Sequence, residues 1–228
     1  MGGFQSVPAV IKNLIIANVL VYIAELTFKE PFVNLFSLHY YASPDFRIWQ
    51  VFTHMFLHAM PPTFFHIIFN MLALYMFGSP LETLWGGKRF LLFYLICGLG
   101  AGVIQMLSNG VEMHFLVQKL TNGSITQQDY QLKGGLIYNG IALGASGAIM
   151  GVLAGFAYLF PNTSLFILPI PFPIKTKYAI AGLILLDVFG GIYPEYGGDV
   201  AHFAHLGGAL FGFLLVKTMN KKNRRNFY

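Results

Sequence analysis

Charge is scarce along most of this chain, and that constrains its fold more than any other feature. Six mostly apolar runs stand out, approximately Pro8–Thr27, Thr63–Gly78, Arg89–Leu107, Leu143–Phe160, Tyr178–Tyr193 and Val200–Met219, and most of the ionisable residues lie between them or at their edges. A helix that crosses a bilayer needs about 20 such residues. Only 10% of the 228 residues are charged, against about 25% in an average soluble domain. So few charges could not cover a water-facing surface, which excludes an ordinary soluble enzyme. The 56% apolar content excludes a disordered chain. The runs therefore read as spans of an all-α polytopic membrane protein. One bundle over residues 1–228 is expected, ending in a basic tail at 217–228, with the short second and fifth runs extended by flanking aromatics.

The positions of the cations assign the sides. The formal net charge is +5. With six spans both ends share a side, which collects Lys12, Lys88, Arg89, Lys175, Lys177, Lys217, Lys221, Lys222, Arg224 and Arg225. The other four, Lys29, Arg47, Lys119 and Lys133, fall in the opposite loops. That split follows the positive-inside rule and predicts cytoplasmic termini. The cations of the tail flank a span, so they read as topology signals and not as a nucleic-acid footprint. Residues 1–8 carry neither a charged n-region nor a cleavage signal, so the first run is expected to be a retained span, and a bacterial inner membrane is the expected location. Cys97 is the only cysteine and lies in an apolar run, so no disulfide framework exists.

Two long loops are expected on the outer side. Phe28–Pro62 is apolar and aromatic, with His39, Tyr40, Tyr41 and Trp49, and is expected to lie in the interface. Ser108–Gly140 is polar, with turn signals at Asn122-Gly123, Gly134-Gly135 and Asn139-Gly140. On the inner side, Pro169, Pro171 and Pro173 exclude a helix from Leu165–Ile174.

Polar groups inside spans are costly, so each is a functional suspect. Ser146 lies in Gly144-Ala145-Ser146-Gly147 at the head of the fourth run. The helix from there to Pro161 is roughly 22 Å long, which sets Ser146 several Å below the outer surface of a core about 30 Å thick. Gly147, Gly151 and Gly155 form a small-residue stripe on this run, as Ala204, Gly208 and Gly212 do on the sixth. Helices with such stripes approach closely. Packing alone would explain both stripes, and a serine hydroxyl can simply bond a backbone carbonyl. Yet the close approach would also bring Ser146 beside His205, one position from Ala204. A serine becomes a nucleophile when a base takes its proton, and histidine titrates near the working pH. His202, three residues earlier, is expected to support the pair.

In the second run His66 and Asn70 share one helical face and can donate hydrogen bonds to a developing oxyanion, or can act as polar glue between helices. His54 and His58, with His66, invite a metal or haem reading, but no cysteine or carboxylate completes a zinc set, so no metal or other cofactor is expected. Asp187 and Asp199 are the carboxylates that could complete a Ser-His-Asp triad, but nothing in the spacing demands either. A dyad is the simpler expectation, with Asp187 paired inside the bundle and Asp199 at a helix start.

These motifs together resemble the rhomboid family of intramembrane serine proteases, over nearly the whole chain after Phe46. Gly144-Ala145-Ser146-Gly147 matches the family's G-x-S-G. Ala204-His205-Leu206-Gly207-Gly208 with Gly212 matches A-H-x-x-G-x-x-x-G, and His66 with Asn70 matches H-x-x-x-N. The resemblance implies a six-transmembrane-helix bundle with an interfacial first loop. It implies Ser146 as nucleophile, His205 as general base, and His66, Asn70 and the Ser146 N–H as oxyanion donors. Gly78, Glu82 and Gly86 match G-x-x-x-E-x-x-x-G, in which Glu82 is a buried anchor. Gln50 stands where the family often has arginine, and Met150 where an aromatic commonly packs on the base.

The activity expected is hydrolysis of peptide bonds in or near the transmembrane segments of single-span membrane proteins. A substrate would enter from the lipid past the fifth run and unwind, with small residues favoured near the cleavage site. The alternative is a non-catalytic rhomboid-like protein that binds or delivers membrane clients. Loss of the serine or histidine would favour it, and both are present. A small transporter or channel would need ionisable groups along a continuous path, whereas this polar set gathers toward one face.

Overall fold

A computed structural model describes residues 7–61, 63–166, 171–193 and 200–220. The expected cation cluster at Lys221, Lys222, Arg224 and Arg225 lies outside the described residues, as do Asp199, Pro62 and Pro169.

The described chain is mostly helical. Helix α1 spans Ala9–Phe36, α2 is the short Gln50–Thr53, α3 is Phe65–Ala73, and α4 is Ser79–Trp85. A wider turn over Leu74–Gly78 joins α3 to α4. Helix α5 spans Gly87–Thr121, α6 Gln127–Asn139, α7 Ser146–Leu159, α8 Thr176–Ile192 and α9 His202–Asn220. Among the described residues, three helical stretches are long and apolar enough to cross a membrane: Ala9–Phe36, Phe65–Trp85 and Gly87–Thr121. The chain is a membrane protein of apolar helices. The second of these stretches runs beyond the expected Thr63–Gly78 because α4 continues it.

Three loop expectations are corrected. The stretch Phe28–Pro62 is not loop throughout, since α1 runs on to Phe36. It does so across a break at Lys29 (φ 54°), two residues before Pro31, whose ring bars regular helix there. Ser108–Gly140 is mostly helix: α5 continues to Thr121, and α6 follows a turn in which Gly123 has φ 72°. Helix α6 begins at a reciprocal capping box, where the Asp129 N–H donates to the Thr126 hydroxyl and the Thr126 N–H to the Asp129 carboxylate. Polarity had made this stretch look like loop, but it contains no proline, and its Glu, Gln, Lys and Leu residues favour helix. The Gly134-Gly135 pair lies inside α6 and makes no turn. Only the proline-rich Leu165–Ile174 stretch keeps to expectation among its described residues. There Ser164–Leu165 pairs antiparallel with Ile174–Lys175.

Helix α7 is the centre of the bundle, with every residue from Gly147 to Phe156 buried. Helices α5 and α9 flank it, and their spacing is set by missing side chains. A Cβ on Gly208 or Gly212 would collide with the backbone of Gly147 or Gly151. The glycines of α7 in turn face α5, at Ala101, Cys97 and Phe93. Helix α8 is the least enclosed of this group, burying only Thr176, Ile180, Asp187 and Gly190.

Two polar anchors fix the periphery. The Glu82 carboxylate is buried and accepts the N–H groups of Val10 and Ile11, at 3.0 and 2.8 Å. It thereby satisfies first-turn donors of α1, where a negative charge also suits the helix dipole. Gln50 is fully buried and ties the first loop together. Its Oε1 accepts from the N–H of Arg47, and its Nε2 donates to the Asp45 and Leu35 carbonyls. The amide thus does its bonding to backbone groups, without the charge of an arginine.

Candidate active site

The backbone aims the serine first. Leu38–His39 pairs antiparallel with Ile141–Ala142, just ahead of the Gly144-Ala145-Ser146-Gly147 motif. The Gly144 N–H then donates to the His54 carbonyl at 2.9 Å. Gly144 has φ +130°, a conformation that residues with a side chain rarely adopt. The chain turns there into α7, so Ser146 opens the helix and its backbone N–H is among those with no acceptor inside it.

The imidazole beside Ser146 comes from α9. His205 Nε2 lies 2.8 Å from Ser146 Oγ, across 59 residues of sequence. Its other nitrogen, Nδ1, lies 3.0 Å from Asp187 Oδ1 on α8. The same carboxylate oxygen lies 2.8 Å from Nδ1 of His202. Asp187 is therefore paired inside the bundle, as expected, but one of its partners is the histidine on the serine. Sequence spacing had no means to show that contact, because it depends on how α8 meets α9. Gln105 was also missed. Its side-chain oxygen accepts the Ala204 N–H at 3.1 Å and so holds the start of α9 to α5. The available signal was an amide inside an otherwise apolar run.

His66 lies on the opposite wall. Its Nδ1 accepts the Ala59 N–H at 3.0 Å, so the neutral ring carries its proton on Nε2. That nitrogen is turned toward the Gly144–Ser146 corner, where a Cβ on Gly144 would sit 3.2 Å from it. Asn70 is buried and donates to the His66 carbonyl at 2.8 Å, which leaves a second amide proton. Ser146, His205, His66 and Asn70 line one cleft of about 630 Å³, with Met150 in its wall.

His54 and His58 lie outside this cleft. His54 hydrogen-bonds through Nδ1 to the Gln50 carbonyl at 2.9 Å and packs on Gly102. Burial pushes its imidazole down to about 4. His58 is fully buried, edge-on to the His66 ring with centroids 5.4 Å apart. Burial, and then His66, push it down to about 3. Among the described residues no three His, Cys, Asp or Glu side chains converge as metal ligands would.

An apolar helical bundle with a polar cleft at the start of its central helix defines a class of membrane protein. A Rhomboid domain model matches residues 45–222, and the chain belongs to the rhomboid family. It is 27% identical to Rhomboid protease AarA of Providencia stuartii over 213 residues, 89% of this chain and 69% of that protein. It is 32% identical to the mitochondrial presenilin-associated rhomboid-like protein of Homo sapiens over 214 residues, 90% of this chain and 47% of that protein. To the mitochondrial Rhomboid protein 1 of Saccharomyces cerevisiae it is 30% identical over 166 residues, 71% of this chain and 41% of that protein. The chain thus spans less than half the length of these two mitochondrial relatives.

Proposed function

We propose that the chain is an intramembrane serine endopeptidase that hydrolyses peptide bonds in or near the transmembrane segments of single-span membrane proteins. The observation that carries this reading is the 2.8 Å approach of His205 Nε2 to Ser146 Oγ at the floor of a cleft. In the forward step His205 takes the Ser146 proton as Oγ attacks the scissile carbonyl. The acyl-enzyme forms, and the imidazolium returns the proton to the leaving amine. Water then attacks the ester through the same base. The negative oxygen of each tetrahedral state is held by the Ser146 N–H, His66 Nε2–H and Asn70 Nδ2–H. Membership of a family that includes a protein named as a protease supports the assignment.

Six crossings belong to this proposal: α1, α3 with α4, α5, α7, α8 and α9. Helix α7 is short, at 14 residues, and α8 and α9 carry Asp187, His202 and His205, which dilute their apolar character. The distribution of Lys and Arg supports termini on the cytoplasmic side, and the membrane of this proposal is a bacterial inner membrane. Reporter fusions at residues 88, 176 and 220 should all report the cytoplasmic side.

The activity is tested with purified protein in liposomes and a fluorophosphonate probe. Labelling is expected in the wild type and absent in Ser146→Ala and His205→Ala. A folded wild type that neither labels nor cuts a model transmembrane substrate would replace this reading with client binding.

A further inference from the structure

The mechanism above leaves one group of the site unused. Asp187 is buried, and its Oδ1 meets two imidazoles, Nδ1 of His202 at 2.8 Å and Nδ1 of His205 at 3.0 Å. An ionised carboxylate only accepts hydrogen bonds. Both rings therefore donate from Nδ1, and in His205 this leaves Nε2 as the unprotonated nitrogen, facing the Ser146 hydroxyl. A neutral imidazole has two tautomers, and only the one protonated on Nδ1 can take the serine proton through Nε2.

The packing of α8 on α9 is shaped around this contact. One turn beyond Asp187, Gly190 leaves room for the His202 ring, into which any Cβ there would run. The next residue, Gly191, lies against Phe203, where a Cβ would come within 3.2 Å of the ring. Asp187 is also one of the few buried residues on a helix otherwise open to its surroundings. A carboxylate inside an apolar bundle is strongly unfavourable unless donors meet it, and here α9 supplies two.

We propose that Asp187 is a positioning residue of the hydrolytic site, fixing the tautomer and direction of His205, with His202 as the second donor that holds the carboxylate in place. The serine site is then a triad whose third member is delivered by α8, and the base is oriented only while α8 is seated against α9. This rests on the Ser146–His205 reading, and the test separates the two.

The test compares wild type, Asp187→Asn, His202→Asn and Ser146→Ala in liposomes. It measures kcat and KM on a model transmembrane substrate, thermal unfolding, and histidine ¹⁵N resonances, which report the tautomer without substrate. Asp187→Asn keeps the volume and polarity of the side chain, so fold and KM should hold, while its neutral amide can present an N–H to the His205 ring, which a carboxylate cannot. In soluble triads the same change lowers kcat about 10⁴-fold, and a fall of at least about tenfold is expected here. The His205 resonances should move off the form protonated on Nδ1. His202→Asn should lower kcat less, by roughly threefold to tenfold, since the direct bond to His205 survives. If Asp187→Asn does not fold, His202→Asn and the wild-type resonances carry the test. Wild-type kcat with an unchanged tautomer in Asp187→Asn would overturn the proposal, as would a wild-type His205 protonated on Nε2. A wild type without Ser146-dependent turnover would instead overturn the protease reading, and the resonances would still show whether Asp187 sets the tautomer.

Discussion

Single side chains define the chemistry, and two of them give sharp expectations. Asn70 lines the cleft while one amide proton is held by the His66 carbonyl. Asn70→Ala should therefore leave the fold intact and slow turnover by about 2–4 kcal/mol of lost oxyanion stabilisation, on the scale of soluble proteases. Steady-state cleavage together with thermal unfolding checks this, and unchanged turnover would remove Asn70 from the site. Gly144→Ala acts through the backbone. A methyl group at φ +130° is strained, and it would sit 3.1 Å from the His66 ring. A loss of about 1–3 kcal/mol of stability is expected, with a larger loss of labelling because the His66 wall of the cleft moves. That Ser146, His205, His66 and Asn70 would share one cleft was legible because a serine, two histidines and an asparagine stand out in apolar runs. The knot at Gln50 was not, since five of its bonds go to backbone groups that only the folded loop brings near.

Between elements, the close contact of α7 and α9 holds Ser146 and His205 together. Gly208 lies against the Gly147 carbonyl with no room for a side chain. The neighbour is backbone and cannot turn aside. Gly208→Val should therefore separate the helices and destabilise the bundle by more than about 3 kcal/mol, with labelling lost together with the fold. Wild-type unfolding and labelling for this variant would show that the glycine stripe does not set the spacing. The stripes were readable as a four-residue period, and so was the pairing of the two helices. The long continuation of α5 and the whole of α6 went unread because polar composition outweighed the local signals. Thr126 followed three residues later by Asp129 is a helix-start pattern in plain view, and the structure uses it as one.

At the scale of the whole molecule, the buried histidines of the first loop make the fold sensitive to acid. His54 and His58 stay neutral in the folded chain down to about 4 and about 3. The unfolded chain takes up those protons near 6.5. Between these values the unfolded state binds more protons, so stability is full above about 6.5 and falls as the pH drops toward 4. For His54 alone the loss approaches roughly 3 kcal/mol, at about 1.4 kcal/mol for each pH step of one. Thermal unfolding in detergent from pH 7.5 to 4.5 should show the decline, and His54→Gln should roughly halve it, since His58 still contributes. An equal midpoint at both ends of that range would contradict it.

The bond between Ser146 and His205 also has a meaning in time. A ribosome must add 59 residues after Ser146 before His205 exists, and that histidine lies on the last described helix. Until α9 has inserted and docked, the hydroxyl is an ordinary alcohol in an unfinished bundle. The newborn chain passes through the insertion machinery, among other unfolded membrane segments, with no power to cut them. On the function proposed here, catalytic competence arrives with completion, and the order of synthesis itself keeps the nascent protease silent.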